Sequence, residues 1–229
     1  VDEIIRIGGM IENCYLVMGD HCYLVDTGVK KTRKKIDEAL QAHGVKGQDI
    51  THILITHCHS DHIANLSYLK RSSGAEVVAG AADVPFIQKE KPQETGSDLN
   101  RLGRFLKRFS KIASSYQKFE AVGVDISLDG GEVLVDLGLE AIALPGHTPG
   151  GMGYLDRANR RAFVGDMASN YFGRTGPPTF SASYSLEEIE ASMRKLADLE
   201  LEYMYPGHGK IIGPNASGLV AAYVKKRFG

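Results

Sequence analysis

The chain opens with three short runs, EIIRIGG (3–9), NCYLVMG (13–19) and HCYLVDTG (21–28), each rich in β-branched or aromatic residues and closed by glycine. Such runs predict strands, and Gly19-Asp20 between the last two predicts a hairpin turn. The pattern then changes period. From Thr32 to His43 the apolar residues Ile36, Ala39 and Leu40 fall on one helical face, and Gly44 closes the segment. ITHILITH (50–57) reads as a buried strand, HIANLSYLKRS (62–72) as a helix and AEVVAG (75–80) as another strand. A helical DVPFIQKE (83–90) leads into a loop with Pro92 and Gly96. Beyond it, Leu99, Leu102, Leu106, Phe109, Ile112 and Tyr116 make an apolar stripe at steps of three and four, and Ser97 is the expected cap.

Strands return with EVLVDLGLEAIALPG (132–146), then GMGYLD (151–156) and RAFVGDM (161–167), the last two forming a hairpin around Ala158-Asn159. Ser185 with Glu188 three residues later predicts a capped helix running to Leu199. EYMYPG (202–207) is a last strand, and Gly218 to Phe228 a last helix. Strands and helices in this alternation predict helices covering a β core. The expected organisation is one domain over 1–229, with a helical insertion at about 81–122.

The 229 residues are 43% hydrophobic and 24% charged, which is ordinary for a globular protein and leaves ample material for a core. A net charge of −1 offers no global field for nucleic acid or acidic lipid. No apolar run approaches the ~18 residues of a membrane helix. The N-terminal VDEIIRIGG lacks the basic start and apolar stretch of a secretory signal. A cytoplasmic protein is therefore expected, with Cys14, Cys22 and Cys58 as free thiols.

The chemistry concentrates in THCHSDH (56–62). On an extended chain, residues two apart point the same way. His57 and His59 can therefore face one metal while Cys58 faces away. Asp61 and His62 begin the next helix and can turn towards a second centre. Imidazoles with carboxylates are the donors that zinc takes, though iron or manganese fit the same ligand types. Three later strand ends offer further donors: His147 in LPGHTPGG, Asp166 in FVGDM and His208 in YPGHGK. Loops held by a rigid sheet are the usual seat of chemistry. His21, His43 and His52 stand outside this pattern.

VDTG, THCHSDH, LPGHTPG, FVGDM and YPGHGK, in this order, resemble the metallo-β-lactamase superfamily, and the likeness runs from about residue 4 to residue 213. The resemblance implies a four-layer αββα sandwich, an α/β fold with two mixed β-sheets and outer helices. It implies two divalent metal ions, zinc first. His57, His59 and His147 would hold one ion and Asp61, His62 and His208 the other, with Asp166 bridging them and Asp26 of VDTG ordering the ligands. Asp61 and Asp166 become the catalytic carboxylates. Within the superfamily, LPGHTPG and FVGDM look most like glyoxalase II-type thioesterases and lactonases. The expected reaction is hydrolysis of an ester, thioester or lactone carbonyl of a small molecule by hydroxide shared between two metals.

With about twenty residues after YPGHG, the helical glutathione-binding domain of glyoxalase II is not expected, which weighs against glutathione thioesters. Two alternatives stand beside this reading. A phosphodiesterase or nuclease would use the six basic residues between Arg101 and Lys118, although the balanced charge disfavours nucleic acid. A sulfur dioxygenase would keep the same ligands around one iron. The basic helix reads as plain cover, a substrate lid or a homodimer contact. Tyr171 and Arg174, after the Asp166 motif, are the expected substrate-binding residues, as oxyanion donor and carboxylate partner. The GRTGPPTF stretch around Arg174 is expected to be a loop near the mouth.

Overall fold

A computed structural model describes residues 2–8, 12–91, 119–177 and 183–228. Six strands form the first sheet in sequential order: β1 (Glu3–Gly8), β2 (Asn13–Met18), β3 (Cys22–Val25), β4 (Ile50–Leu54), β5 (Glu76–Gly80) and β6 (Ile126–Leu128). The first three are antiparallel and the rest join in parallel, so the sheet is mixed. The second sheet contains β7 (Val133–Leu134), β8 (Leu139–Ala143), β9 (Met152–Asp156), β10 (Arg161–Gly165) and a strand at Tyr203–Pro206 that pairs in parallel with β10. A separate hairpin joins β11 (Ser169–Tyr171) to β12 (Arg174–Gly176), which makes the Tyr203–Pro206 strand β13.

The alternation along each strand assigns its side chains to layers. Leu16, Leu24, Ile53 and Val77 pack outward against Ile36 and Leu40 of α1 (Thr32–Ala42). Leu66 and Leu69 join the same cluster from α3 (Leu66–Ser73). Their neighbours Tyr15, Val17, Tyr23, Val25, Leu54 and Val78 point the other way, onto Leu139, Ala141, Met152, Tyr154 and Phe163 of the second sheet. The far face of that sheet, with Ile142, Leu155, Ala162 and Val164, is covered by two helices. These are α5 (Leu186–Asp198) with Ile189, Met193 and Leu196, and α6 (Ala216–Phe228) with Val220 and Val224. A period of two thus feeds three apolar layers from two sheets, and the expected αββα sandwich is what forms. Tyr154 ties the layers further, its hydroxyl donating to the Ile55 carbonyl at 2.8 Å.

Local expectations hold with instructive exceptions. The stretch expected as one helix over 62–72 is two. A single turn, α2 (Ser60–Ile63), stops before Asn65, and α3 starts after it. Asn65 breaks the helix because its amide donates to the carbonyls of Thr27 and Val29, at 2.7 and 2.8 Å. Ser185 caps α5 by accepting from the Glu188 amide, but its own amide donates to Gly146, so the reciprocal half of the capping box is absent. The GRTGPPTF stretch is not a loop throughout, since Arg174–Gly176 pairs as β12. Only the ends of the expected insertion at about 81–122 are described: α4 (Val84–Ile87) lies near its start, and Phe119 and Val122 at its end join the first core cluster. The basic helix expected around 97–119 lies outside the described residues, Phe119 apart. No described helix is long and apolar enough to cross a membrane. Among the described residues Cys14, Cys22 and Cys58 form no disulfide.

Candidate metal centre

Strand ends at one edge of the sandwich carry the candidate side chains. β3 ends at Asp26. β4 runs into His57 and His59, and α2 carries Asp61 and His62. His147 lies between β8 and β9, Asp166 follows β10, and His208 follows β13. All seven predicted ligands converge into three overlapping groups. His57, His59 and His147 form one; Asp61, His62 and His208 form another; His57, His62 and Asp166 link them. Within each group the donor atoms lie within 4.8 Å of one another.

His57 and His62 are each shared by two groups, and Asp166 lies beside members of all three. Asp166 Oδ2 is 3.1 Å from His208 Nε2, 3.3 Å from His147 Nε2 and 3.9 Å from His57 Nε2. Its Oδ1 is 3.4 Å from His62 Nε2. Asp61 Oδ2 reaches His208 Nε2 at 3.4 Å and His62 Nε2 at 3.9 Å.

The supporting hydrogen bonds orient the rings. Asp26 accepts from the Thr56 amide at 2.8 Å, from the Thr56 hydroxyl at 2.7 Å and from His62 Nδ1 at 2.8 Å. Its backbone sits at φ 57°, a left-handed conformation that Asp tolerates better than most residues. With its proton committed to Asp26, Thr56 Oγ1 accepts from His57 Nδ1 at 3.1 Å. His147 Nδ1 lies 3.1 Å from Ser183 Oγ, which accepts when Nε2 is the ligand atom. In these three rings Nδ1 is engaged by an oxygen, which leaves Nε2, the atom a metal would take, facing inward.

The chemistry of these donors fits a cation. His57 Nε2, His147 Nε2 and Asp166 Oδ1 are buried and have no hydrogen-bond partner among the described residues. Each such orphan costs about 1–3 kcal/mol, and three around one point are hard to maintain without a ligand. A void of about 10 Å³, near one water-sized sphere, borders the three residues.

Electrostatics agree. Burial, reinforced by the neighbouring His147, drives the His59 imidazole down to about 3, and burial with His62 drives His57 down as well. Both are neutral lone-pair donors at ordinary pH. Burial alone would lower His62 too, but the carboxylates of Asp166, Asp26 and Asp61 outweigh it and hold that ring up to about 9. Burial opposes ionisation of Asp61 and Asp166. Nearby imidazoles led by His62 prevail, keeping Asp61 at about 2 and Asp166 well below the ordinary carboxylate value.

The sequence profile of the metallo-beta-lactamase superfamily matches residues 7–208. The chain belongs to this superfamily. Metallo-beta-lactamase domain-containing protein 1 of Xenopus laevis is 30% identical over 199 residues, covering 85% of this chain and 69% of that protein. Hydroxyacylglutathione hydrolase GloC of Haemophilus influenzae is 26% identical over 213 residues, covering 90% of each. Among solved structures, a di-iron-bound form of the protein TTHA1623 superposes with a TM-score of 0.67, at 24% identity and 96% coverage of both chains.

Of the two expected substrate residues, Tyr171 ends β11 and is 44% exposed, and Arg174 opens β12 opposite it. Their hairpin is fastened to the His208 turn: Asn170 bridges Gly209, and its carbonyl accepts from the Lys210 amide at 2.9 Å. Partial burial raises the Tyr171 hydroxyl above its ordinary value, which keeps it a donor. Cys58 joins the apolar cluster beneath α1 and α3, facing away from the ligands as its place in the sequence predicts.

Sequence reasoning missed Thr56, Ser183, Asp83 and Asn13. Thr56 is detectable only as the neighbour of His57. Asp83 reads as an ordinary helix-start acid. Gly207 also escaped notice. A Cβ there would lie 2.3 Å from Asp166 Oδ1 and 2.6 Å from His62 Cε1. Gly207→Ala is therefore expected to fold yet bind fewer than two ions per chain, as elemental analysis after dialysis against zinc would show. Full occupancy would mean that the turn yields more easily than its packing implies.

Proposed function

We propose that the chain is a dinuclear metallo-hydrolase, most suited to zinc, that acts on a thioester, ester or lactone carbonyl. The observation that carries the reading is the donor set itself. Seven buried or half-buried ligand-type side chains converge, and three of their inward atoms lack any hydrogen-bond partner among the described residues. His57, His59 and His147 would hold one ion, Asp61, His62 and His208 the other, with Asp166 common to both. Bound divalent ions supply Lewis acidity and lower the pKa of a coordinated water from 15.7 towards ~7.

The chain's own groups do the rest. Asp26 and Thr56 keep His62 and His57 in the ligand tautomer. Asp61 is the more open carboxylate, its side chain 24% exposed against 10% for Asp166. It orients the attacking water and receives its proton. Tyr171 Oη donates towards the developing oxyanion, and Arg174 pairs with a substrate carboxylate. Thioesters come first because a relative named for hydroxyacylglutathione hydrolysis aligns over 90% of both chains.

The test is a hydrolysis screen on metal-loaded protein with a hydroxyacyl thioester, a lactone, a phosphodiester and a β-lactam. Turnover of thioester or lactone, lost on chelation and restored by zinc, is the expected result. Turnover confined to the phosphodiester would install the nuclease alternative. A single native iron with persulfide-dependent oxygen uptake would make the protein a dioxygenase instead.

A further inference from the structure

Two buried polar side chains near the centre are fully occupied, yet none of their hydrogen bonds goes to a ligand side chain. Asn13 opens β2 and is 1% exposed. Its Nδ2 donates to the Pro206 carbonyl at 2.8 Å and the Gly209 carbonyl at 3.0 Å. Its backbone amide donates to the Gly207 carbonyl at 2.7 Å. Its Oδ1 accepts from Arg6 Nε at 2.7 Å, which fixes the orientation of the amide. These carbonyls lie on both sides of His208. The first sheet thus grips the turn that aims His208, and Tyr15 reinforces the grip with a 2.7 Å bond to the Pro206 carbonyl.

Asp83 is 0% exposed and sits just before α4. Its Oδ2 accepts from the Cys58 amide at 2.8 Å and the Thr148 hydroxyl at 2.7 Å. Its Oδ1 accepts from the Gly150 amide at 2.7 Å. Cys58 lies between His57 and His59, and Thr148 follows His147. One carboxylate therefore fixes both loops that supply the three-imidazole group. The close approach depends on glycine, because a Cβ on Gly150 would come within 2.3 Å of the Asp83 amide nitrogen.

We infer that Asn13 and Asp83 are positioning residues that divide the centre between them. Asn13 sets the Asp61–His62–His208 group through the His208 turn. Asp83 sets the His57–His59–His147 group through its two loops. Neither donates an atom to a metal, yet each governs the affinity of one position. The inference rests on the dinuclear reading above and goes beyond it, since it makes the two affinities separately adjustable.

The test uses two near-isosteric changes. Asn13→Asp keeps the Arg6 bond but faces the Pro206 and Gly209 carbonyls with acceptors. Asp83→Asn leaves at least one of the Cys58 and Gly150 amides without an acceptor. Each is placed in the parent, in a His59→Ala background and in a His208→Ala background, and zinc affinity is measured by equilibrium dialysis, with circular dichroism to confirm folding. In His59→Ala, Asn13→Asp should weaken the remaining tight ion by about 10–100-fold, the usual effect of disturbing a ligand's support, whereas Asp83→Asn should leave it nearly unchanged. In His208→Ala the roles should reverse. If Asp83→Asn unfolds, Thr148→Val removes one bond from the same carboxylate and should show the same selectivity. Equal weakening in both backgrounds, or none in either, overturns the division. A parent chain that binds no zinc overturns instead the metal reading beneath it.

Discussion

Asp166→Asn is expected to lower metal-dependent turnover at least 10³-fold, a loss of about 4 kcal/mol of transition-state stabilisation. Asp166 reaches imidazoles from both halves of the cluster. One Asp166 oxygen lies 3.1 Å from His208 Nε2 and 3.3 Å from His147 Nε2, while the other lies 3.4 Å from His62 Nε2. The amide replaces an anionic oxygen with an NH₂ group that offers a cation no lone pair. It also removes a charge that the surrounding imidazoles keep ionised far below neutral pH. Both ions should bind more weakly. Folding should suffer little, because the side chains are isosteric and Asp166 Oδ1 has no hydrogen bond to lose among the described residues. The comparison needs kcat/KM, zinc stoichiometry and the melting temperature of the metal-free proteins. Parent-like kcat/KM with two ions bound would remove Asp166 from the centre.

The layers were legible because their cause is local. In NCYLV, Cys14 and Leu16 face the helices while Tyr15 and Val17 face the second sheet. The period of two states this directly, and the neighbouring glycines mark where each strand turns. The cluster of candidate donors was legible for a similar reason. Metal donors are few in kind, and His57, His59, Asp61 and His62 crowd into one turn of chain. Their distant partners carry the same donor chemistry at strand ends.

What stayed hidden depends on contacts between distant residues. Asn13 and Pro206 are separated by 193 positions, and Asp83 and Thr148 by 65. Nothing in ENCYLV or GAADVP marks these side chains as supports for a ligand loop. The capping box at Ser185 failed for the same reason. Local sequence specifies both halves, but the Ser185 amide is drawn to Gly146, next to His147. The break at Asn65 likewise depends on carbonyls from the loop after β3. In each case a tertiary hydrogen bond overrides a sound local signal, and each lies within one or two residues of a ligand or its support.

The second large effect concerns Asp26, where two substitutions should separate stability from chemistry. Asp26→Ala strips the acceptor from three donors at once: the Thr56 amide, the Thr56 hydroxyl and His62 Nδ1. It also puts alanine at φ 57°. Buried donors without partners cost about 1–3 kcal/mol each, and the left-handed backbone adds about 1 kcal/mol. Against a total stability of roughly 5–15 kcal/mol, partial or complete unfolding in mild denaturant is expected.

Asp26→Asn should behave differently. Asparagine tolerates the backbone, and its Oδ1 still accepts from the Thr56 amide. The Thr56 hydroxyl can rotate to accept from Nδ2. His62 Nδ1 then faces a donor and must become an acceptor itself, which moves the ring proton to Nε2. Losing the Asp26 charge removes one of the three carboxylates that hold His62 up, and the neutral ring then carries its proton on the atom that should bind metal. The folded variant should lose about 10–100-fold in affinity for the ion held by Asp61, His62 and His208. Nitrogen NMR of the His62 ring should report protonated Nε2 in the variant and protonated Nδ1 in the zinc-loaded parent. A variant that binds both ions like the parent, with Nδ1 still protonated, would show that Asp26 supports the fold and leaves the His62 tautomer to other groups.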